Sequence, residues 1–161
     1  MTTLRELAYA KINITLDILG KRPDGYHDLK SIMQTVSLHD VVELDIGTGK
    51  PWTLSCGKPD IPCDERNLAW KAAKLYCDAV GKDPDGIAIR IEKNIPSGAG
   101  MAGGSADAAA VLRALNRYYG ELLTPEATMP FTYPFSGLDW FGIMLYLLSS
   151  KMPTLAAMLL R

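Results

Sequence analysis

Two histidines and three cysteines are few for 161 residues. Cys56, Cys63 and Cys77 form no CxxC pair, so the sequence predicts neither a structural zinc site nor a disulfide framework. An odd number of thiols suits a reducing compartment, and the expected location is the cytoplasm. Neither sign of charge is in excess: 17 Lys plus Arg face 18 Asp plus Glu, for a formal net charge of -1. No basic stripe is available to a phosphate backbone, and nucleic acid is not an expected partner. Long apolar runs are also missing. The richest, Leu138 to Leu148, contains Asp139 and falls short of the roughly 20 residues that cross a bilayer. Arg5, Glu6, Lys11 and Asp17 interrupt the N-terminal apolar positions, so no signal-peptide core is read and no membrane partner is expected. Repeats, low-complexity stretches and a hydrolase nucleophile elbow are likewise absent. What remains, 48% hydrophobic and 22% charged residues, is the composition of a packed globule of one ordinary domain.

The hydrophobic pattern changes period along the chain. From Leu7 to Ile18 it alternates, with Ala8, Ala10, Ile12, Ile14, Leu16 and Ile18 on one side and Tyr9, Lys11, Asn13, Thr15 and Asp17 on the other, which predicts a half-buried strand. GKRPDG at residues 20–25 reads as a turn, because proline presets φ and glycine permits positive φ. Leu29 to Leu38 and Val41 to Ile46 follow as two strands of an antiparallel meander, broken near His39 and Asp40. Leu68, Ala72, Leu75, Tyr76 and Ala79 recur at helical spacing between a cap at Asn67 and a stop at Gly81. Gly86 to Ile95 alternates again, with Lys93 in the same set as Ile87, Ile89, Ile91 and Ile95. A helix is predicted over Ser105 to Tyr119.

Between that strand and that helix lies PSGAGMAGG, with Gly98, Gly100, Gly103 and Gly104. A helix start offers unpaired N–H groups and the positive end of the dipole, and glycine lets backbone approach an anion closely. The loop is neither a Walker sequence nor a dinucleotide fingerprint. The same glycines also serve as a tight connection, with Ser105 as an ordinary N-cap and Asp107 opposing the dipole. Four glycines within seven residues exceed the needs of one turn, which favours a phosphate ligand. Lys11 and Asn13 share a strand face about 7 Å apart, from a rise of roughly 3.3 Å per residue. Taken alone, that face reads first as plain solvent exposure. Tyr26 and His27, at the turn, offer a ring and an imidazole to a flat base, or form a surface turn. His39 reads as structural, and Trp52, Trp70 and Trp140 as packing residues.

AYAKINITLDILGKRPDGYHDL, ERNL and IPSGAGMAGGSADAAAVLRALN, in this order from about Leu7 to Leu123, resemble the 4-diphosphocytidyl-2-C-methyl-D-erythritol kinase family of the GHMP superfamily. The resemblance implies an α+β fold, the GHMP-kinase N-terminal domain, with a mixed, mainly antiparallel sheet packed on helices over residues 1–123. It implies ATP-dependent phosphorylation of the 2-hydroxyl of the cytidine-diphosphate-linked methylerythritol, a small-molecule substrate of non-mevalonate isoprenoid synthesis. Lys11 takes the place of the family's catalytic lysine, with Asn13, Tyr26 and His27 on the substrate side. The ATP-phosphate loop is Pro96, Ser97, Gly98, Ala99, Gly100, Met101, Ala102, Gly103, Gly104, Ser105 and Ala106, with magnesium held through Ser105 and the nucleotide. Asn67 borders the adenine pocket, a position its capping role explains equally well.

The family continues with a Gly-Ala-Asp-(Val/Ile)-Pro segment whose aspartate takes the hydroxyl proton, and this sequence lacks it. Residues 124–161 read as an atypical tail without the family's second domain, expected from a shifted or prematurely ended reading frame, from an artefactual gene model or from an authentic divergence. The context of Asp139 does not match the missing aspartate. Losing a general base costs about 10² to 10⁴ in rate, so little activity is expected of this chain. Rival readings are a GHMP kinase for homoserine or mevalonate, disfavoured by PDGYH, and a non-catalytic nucleotide-binding or protein-interaction module. An RNA-binding module is disfavoured by the charge balance.

Overall fold

The computed structural model describes residues 1–21 and 27–123. It contains β1 (Thr2–Lys21), β2 (His27–Ile46), β3 (Thr53–Cys56), α1 (Leu68–Val80), β4 (Ile87–Glu92) and α2 (Gly103–Tyr118). The four-stranded sheet has the order β1-β2-β4-β3, antiparallel at β1/β2 and β2/β4 and parallel at β3/β4. This is the expected α+β architecture with a mixed, mainly antiparallel sheet.

Strand alternation builds the two sheet faces. In register, Leu4, Leu44, Ile89 and Leu54 form an apolar row across all four strands. The neighbouring row, Arg5, Glu43 and Arg90, is charged, with Glu43 paired to Arg5 at 3.9 Å and to Arg90 at 3.3 Å. The apolar face is covered by α1 and α2, and the core joins Val42, Leu44, Ile46, Ile87, Ile89 and Ile91 to Ala69, Ala73, Tyr76, Ala110, Val111 and Leu115. Asn67 caps α1 by accepting from the Ala69 amide at 2.9 Å, and Gly81 ends it in the left-handed region at φ 65°. Tyr76, fully buried, donates to Asn116 Oδ1 and ties α1 to α2. Arg113 donates to the Leu7 carbonyl and, with Arg117, pairs with Glu6, tying α2 to β1.

Several expectations are corrected. β2 runs unbroken through His39 and Asp40; the break survives as a register shift, because Tyr9 pairs with His39 and Lys11 already with Thr35. β3 is four residues long, too short for a pattern to announce it. The strand expected over Gly86 to Ile95 contracts to Ile87–Glu92, and α2 begins at Gly103 instead of Ser105. The apolar set of β1 is buried only at Ala8 and Ala10; Ile12, Ile14, Leu16 and Ile18 are 41–66% exposed. Pairing explains this, since β4 joins β2 only over Val41–Ile46 and, among the described residues, no third strand lies beside the outer β1/β2 arm. Alternation states which side a residue takes, not whether anything covers that side. Residues 22–25 of the predicted turn, Tyr26, the tail, Asp139 and Trp140 lie outside the described residues.

Candidate functional site

The loop between β4 and α2 is built for backbone exposure. Gly98 and Gly100 lie in the left-handed region at φ 71° and 70°, open to glycine at no steric cost, and Ala102 joins them at φ 61°. Ala102 is the N-cap of α2 and makes no side-chain cap bond. The Ala106 amide donates to the Ala102 carbonyl, so the amides of Gly103, Gly104 and Ser105 have no acceptor within the helix. A cap of this kind leaves the first-turn donors free for an anion instead of spending one on a side chain. Ser105 is therefore three residues inside the cap, not the cap itself. Asp107 is not in the first turn either, which holds no acid; it turns inward.

That inward turn exposes a cluster the sequence reading missed. Lys93 donates to Asp107 Oδ2 at 2.7 Å and to Asp40 Oδ2 at 2.5 Å, and the three side chains are 4%, 5% and 0% exposed. Asp40 Oδ1 accepts from the Ile95 amide at 2.7 Å and also from the Asn94 amide. Lys93 precedes the loop and Asp107 follows it, so a buried ion pair closes the loop at its base while Asp40 anchors its entry. Burial pushes the Asp107 carboxyl up to about 7 against the pull of Lys93. The two carboxylates hold the Lys93 ammonium above its ordinary range, overcoming the burial that opposes it. One ammonium between two carboxylates leaves an excess negative charge, and a proton on Asp107 cancels it. Asp107 Oδ1 is buried without a hydrogen-bond partner among the described residues. Both residues left a trace in the pattern: Lys93 alternates with isoleucines, and Asp107 falls four residues before Val111 on the apolar stripe of α2. A charged residue in a buried set calls for a partner.

The predicted site residues are only partly assembled. The Lys11 amide donates to the Met101 carbonyl at 3.1 Å, which lays the loop against the outer edge of β1. The Lys11 ammonium donates to Asn13 Oδ1 at 2.8 Å, and both side chains are half-buried. Pro96 to Gly100 and Gly104 are exposed, and Met101 to Gly103, Ser105 and Ala106 half-buried. Asn67 is buried with both ends of its amide engaged, its Nδ2 donating to the Pro62 carbonyl at 2.8 Å. The next residue, Leu68, stands beside the loop: a Cβ added to Gly104 would lie 3.4 Å from Leu68 Cδ1. His27 is exposed at the outer end of the β1/β2 arm, eight residues along β2 from the partner of Lys11, roughly 26 Å at about 3.3 Å per residue. His39 packs edge-on against Tyr9, and Trp52 against Trp70. A cleft of about 490 Å³ lies on the charged face of the sheet, lined by residues that include Arg5, Glu43, Cys56 and Arg90, and touches no predicted site residue. Among the described residues no helix is long and apolar enough to cross a membrane, and no group of three or more His, Cys, Asp or Glu is placed to hold a metal.

The strand–glycine loop–helix unit and the mixed sheet define the class: the chain has the fold of the GHMP-kinase N-terminal domain, and residues 67–137 match the family described as "GHMP kinases N terminal domain". Within that class it is similar to the N-terminal part of 4-diphosphocytidyl-2-C-methyl-D-erythritol kinases. It is 54% identical over 123 residues to the one from Clostridium botulinum (strain Alaska E43 / Type E3), an alignment spanning 76% of this chain and 43% of that protein. A crystal structure of 4-(cytidine 5'-diphospho)-2C-methyl-D-erythritol kinase superposes with a TM-score of 0.64 at 34% identity, covering 90% of this chain and 49% of the other. Homoserine kinase from Cytophaga hutchinsonii, at 20% identity and a TM-score of 0.60 over 96% of this chain and 42% of its own, shares the fold. The chain thus spans about two fifths of the length of the curated relatives it matches.

Proposed function

We propose that residues 1–123 are the nucleotide-binding domain of an ATP-dependent small-molecule kinase acting on the 2-hydroxyl of 4-diphosphocytidyl-2-C-methyl-D-erythritol, a cytoplasmic step of non-mevalonate isoprenoid synthesis. One observation carries the reading: the left-handed cap at Ala102 leaves three helix-start amides without an acceptor inside the helix, behind a loop of exposed residues. The loop from Pro96 to Ala106 fits a triphosphate, since amide donors need no side-chain charge to hold phosphate oxygens. Lys11, whose own amide anchors Met101, would bring its ammonium to the transferring group, with Asn13 holding it. Asn13, Tyr26 and His27 are assigned to the cytidine-linked substrate and Asn67 to the adenine side. Magnesium, held through Ser105 and the nucleotide, would supply charge neutralisation, the main requirement of a phosphoryl transfer.

A non-catalytic nucleotide-binding module is the second reading, favoured by the absence of a Gly-Ala-Asp-(Val/Ile)-Pro segment from the sequence. Without that base, turnover by the 161-residue chain is expected to be down about 10² to 10⁴. Calorimetric titration of the chain with magnesium-ATP tests both. Saturable binding that weakens about 10-fold or more in Lys11→Ala is expected, as for one charge-assisted contact. No binding by the wild type overturns both readings. Binding with no transfer to the cytidine-linked substrate favours the module, and transfer to homoserine or mevalonate in competition reassigns the substrate.

A further inference from the structure

Away from the loop, two sulfur atoms meet beside the parallel edge of the sheet. Cys56 is the last residue of β3, Cys63 comes seven residues later, and their Sγ atoms are 2.8 Å apart. Both face the Ile61 carbonyl, at 3.6 and 3.7 Å. Cys63 is exposed, Cys56 half-buried, and Cys77 buried in α1. The spacing in the sequence gave no sign of this pair; the return of the chain through Gly57 to Pro62 creates it.

We propose that Cys56 and Cys63 are a reversible modification site, oxidised to an internal disulfide by exchange with a small-molecule disulfide such as oxidised glutathione. The inference does not depend on the kinase reading. An S–S bond of about 2.05 Å requires the two sulfurs to approach by less than about 1 Å. Exposure makes Cys63 the first to react: its thiolate attacks one sulfur of the oxidant, forming a mixed disulfide and expelling one glutathione thiolate. Cys56, kept protonated by burial and by its contact with Cys63, reacts second. It gives up its proton and attacks the Cys63 sulfur, expelling the second glutathione thiolate. The two protons lost by the protein thiols neutralise the two departing thiolates, so two cysteines are oxidised as one glutathione disulfide is reduced. Cys77 is a spectator, its thiol pushed up to about 11 by burial. Two thiols without a third ligand favour this exchange over metal binding, as no set of three or more metal-ligating side chains is found among the described residues.

Oxidation closes the loop between β3 and the cap of α1. Pro62, next to Cys63, supplies the carbonyl that receives Asn67 Nδ2, so the bond restrains the segment on which the cap depends. The test uses the full 161-residue chain, purified reduced and equilibrated with glutathione–glutathione disulfide mixtures, then acid-quenched and mapped by non-reducing mass spectrometry. The expected result is loss of two of the three free thiols, a link between the Cys56 and Cys63 peptides, and a higher melting temperature, all reversed by dithiothreitol. Cys56→Ser should instead trap glutathione on Cys63. Three unreacted thiols, a stable Cys63–glutathione adduct in the wild type, or links that involve Cys77 or a second chain would each overturn the proposal.

Discussion

Replacing Lys93 with methionine keeps much of the side chain's length and removes its charge, leaving the Asp40 and Asp107 carboxylates facing each other in a space where both are at most 5% exposed. Breaking a buried pair by deleting one partner costs about 3–5 kcal/mol, because the other charge stays buried without compensation. Asp40 keeps two backbone donors, the amides of Asn94 and Ile95, so the lower part of that range applies. Against a domain stability of roughly 5–15 kcal/mol, such a loss is large. With a urea m-value of about 1–3 kcal/mol/M it moves the unfolding midpoint by about 1–3 M. The pH dependence supplies the sharper part of the prediction. Burial pushes the folded-state Asp107 carboxyl up to about 7 from its ordinary 3.8, so between these values the folded chain is expected to hold a proton that the unfolded chain has released. The corresponding stability is complete below pH 3.8 and is lost as pH rises through about 7, with an upper bound of about 4 kcal/mol at 1.36 kcal/mol per unit. Asp107→Asn imitates the protonated form. It should approach the wild type as the pH falls toward 3.8, exceed it above pH 7, and lose the downward slope between. Urea titrations of both proteins at pH 5, 7 and 8.5 measure this. A Lys93→Met loss under about 1 kcal/mol, or an unchanged slope in Asp107→Asn, would refute the buried, proton-sharing cluster.

Other substitutions probe the same region. Gly103→Ala places a Cβ 3.1 Å from Ile95 Cγ2 and 3.3 Å from Lys93 Nζ, and should cost about 1–3 kcal/mol in thermal or urea unfolding and weaken magnesium-ATP binding, since the helix start must shift. Asn67→Ala removes the α1 cap and the bond to Pro62 and should cost about 1–2 kcal/mol by urea unfolding, with helical circular dichroism largely retained. Ile14→Thr, at a side chain 60% exposed on the outer arm, should change stability by less than about 0.5 kcal/mol; a loss of several kcal/mol would mean that this face is covered.

Regular local patterns were readable in advance. α1 lies between its expected cap and stop, because Asn67 and Gly81 act within one turn of themselves. The glycine loop and the helix after it were likewise legible, since positive φ and a helix start are local properties of Gly98, Gly100 and the residues that follow. The break expected at His39 was a true signal misread: it marks a shift in register, and register is a property of two strands.

The sequence alone settled both helices, the main strands in outline and the glycine-rich stretch before α2, because those outcomes depend on neighbours within a few residues. Tertiary structure alone decided what met what. It brought Lys93 to Asp40, 53 residues away, and to Asp107. It set the Cys56 and Cys63 sulfurs side by side, laid Met101 against the Lys11 amide, and left Ile12, Ile14, Leu16 and Ile18 exposed among the described residues. Each of these follows from the stacking of separate elements. A charge in an apolar stripe announces that a partner exists, and only the packed chain says which.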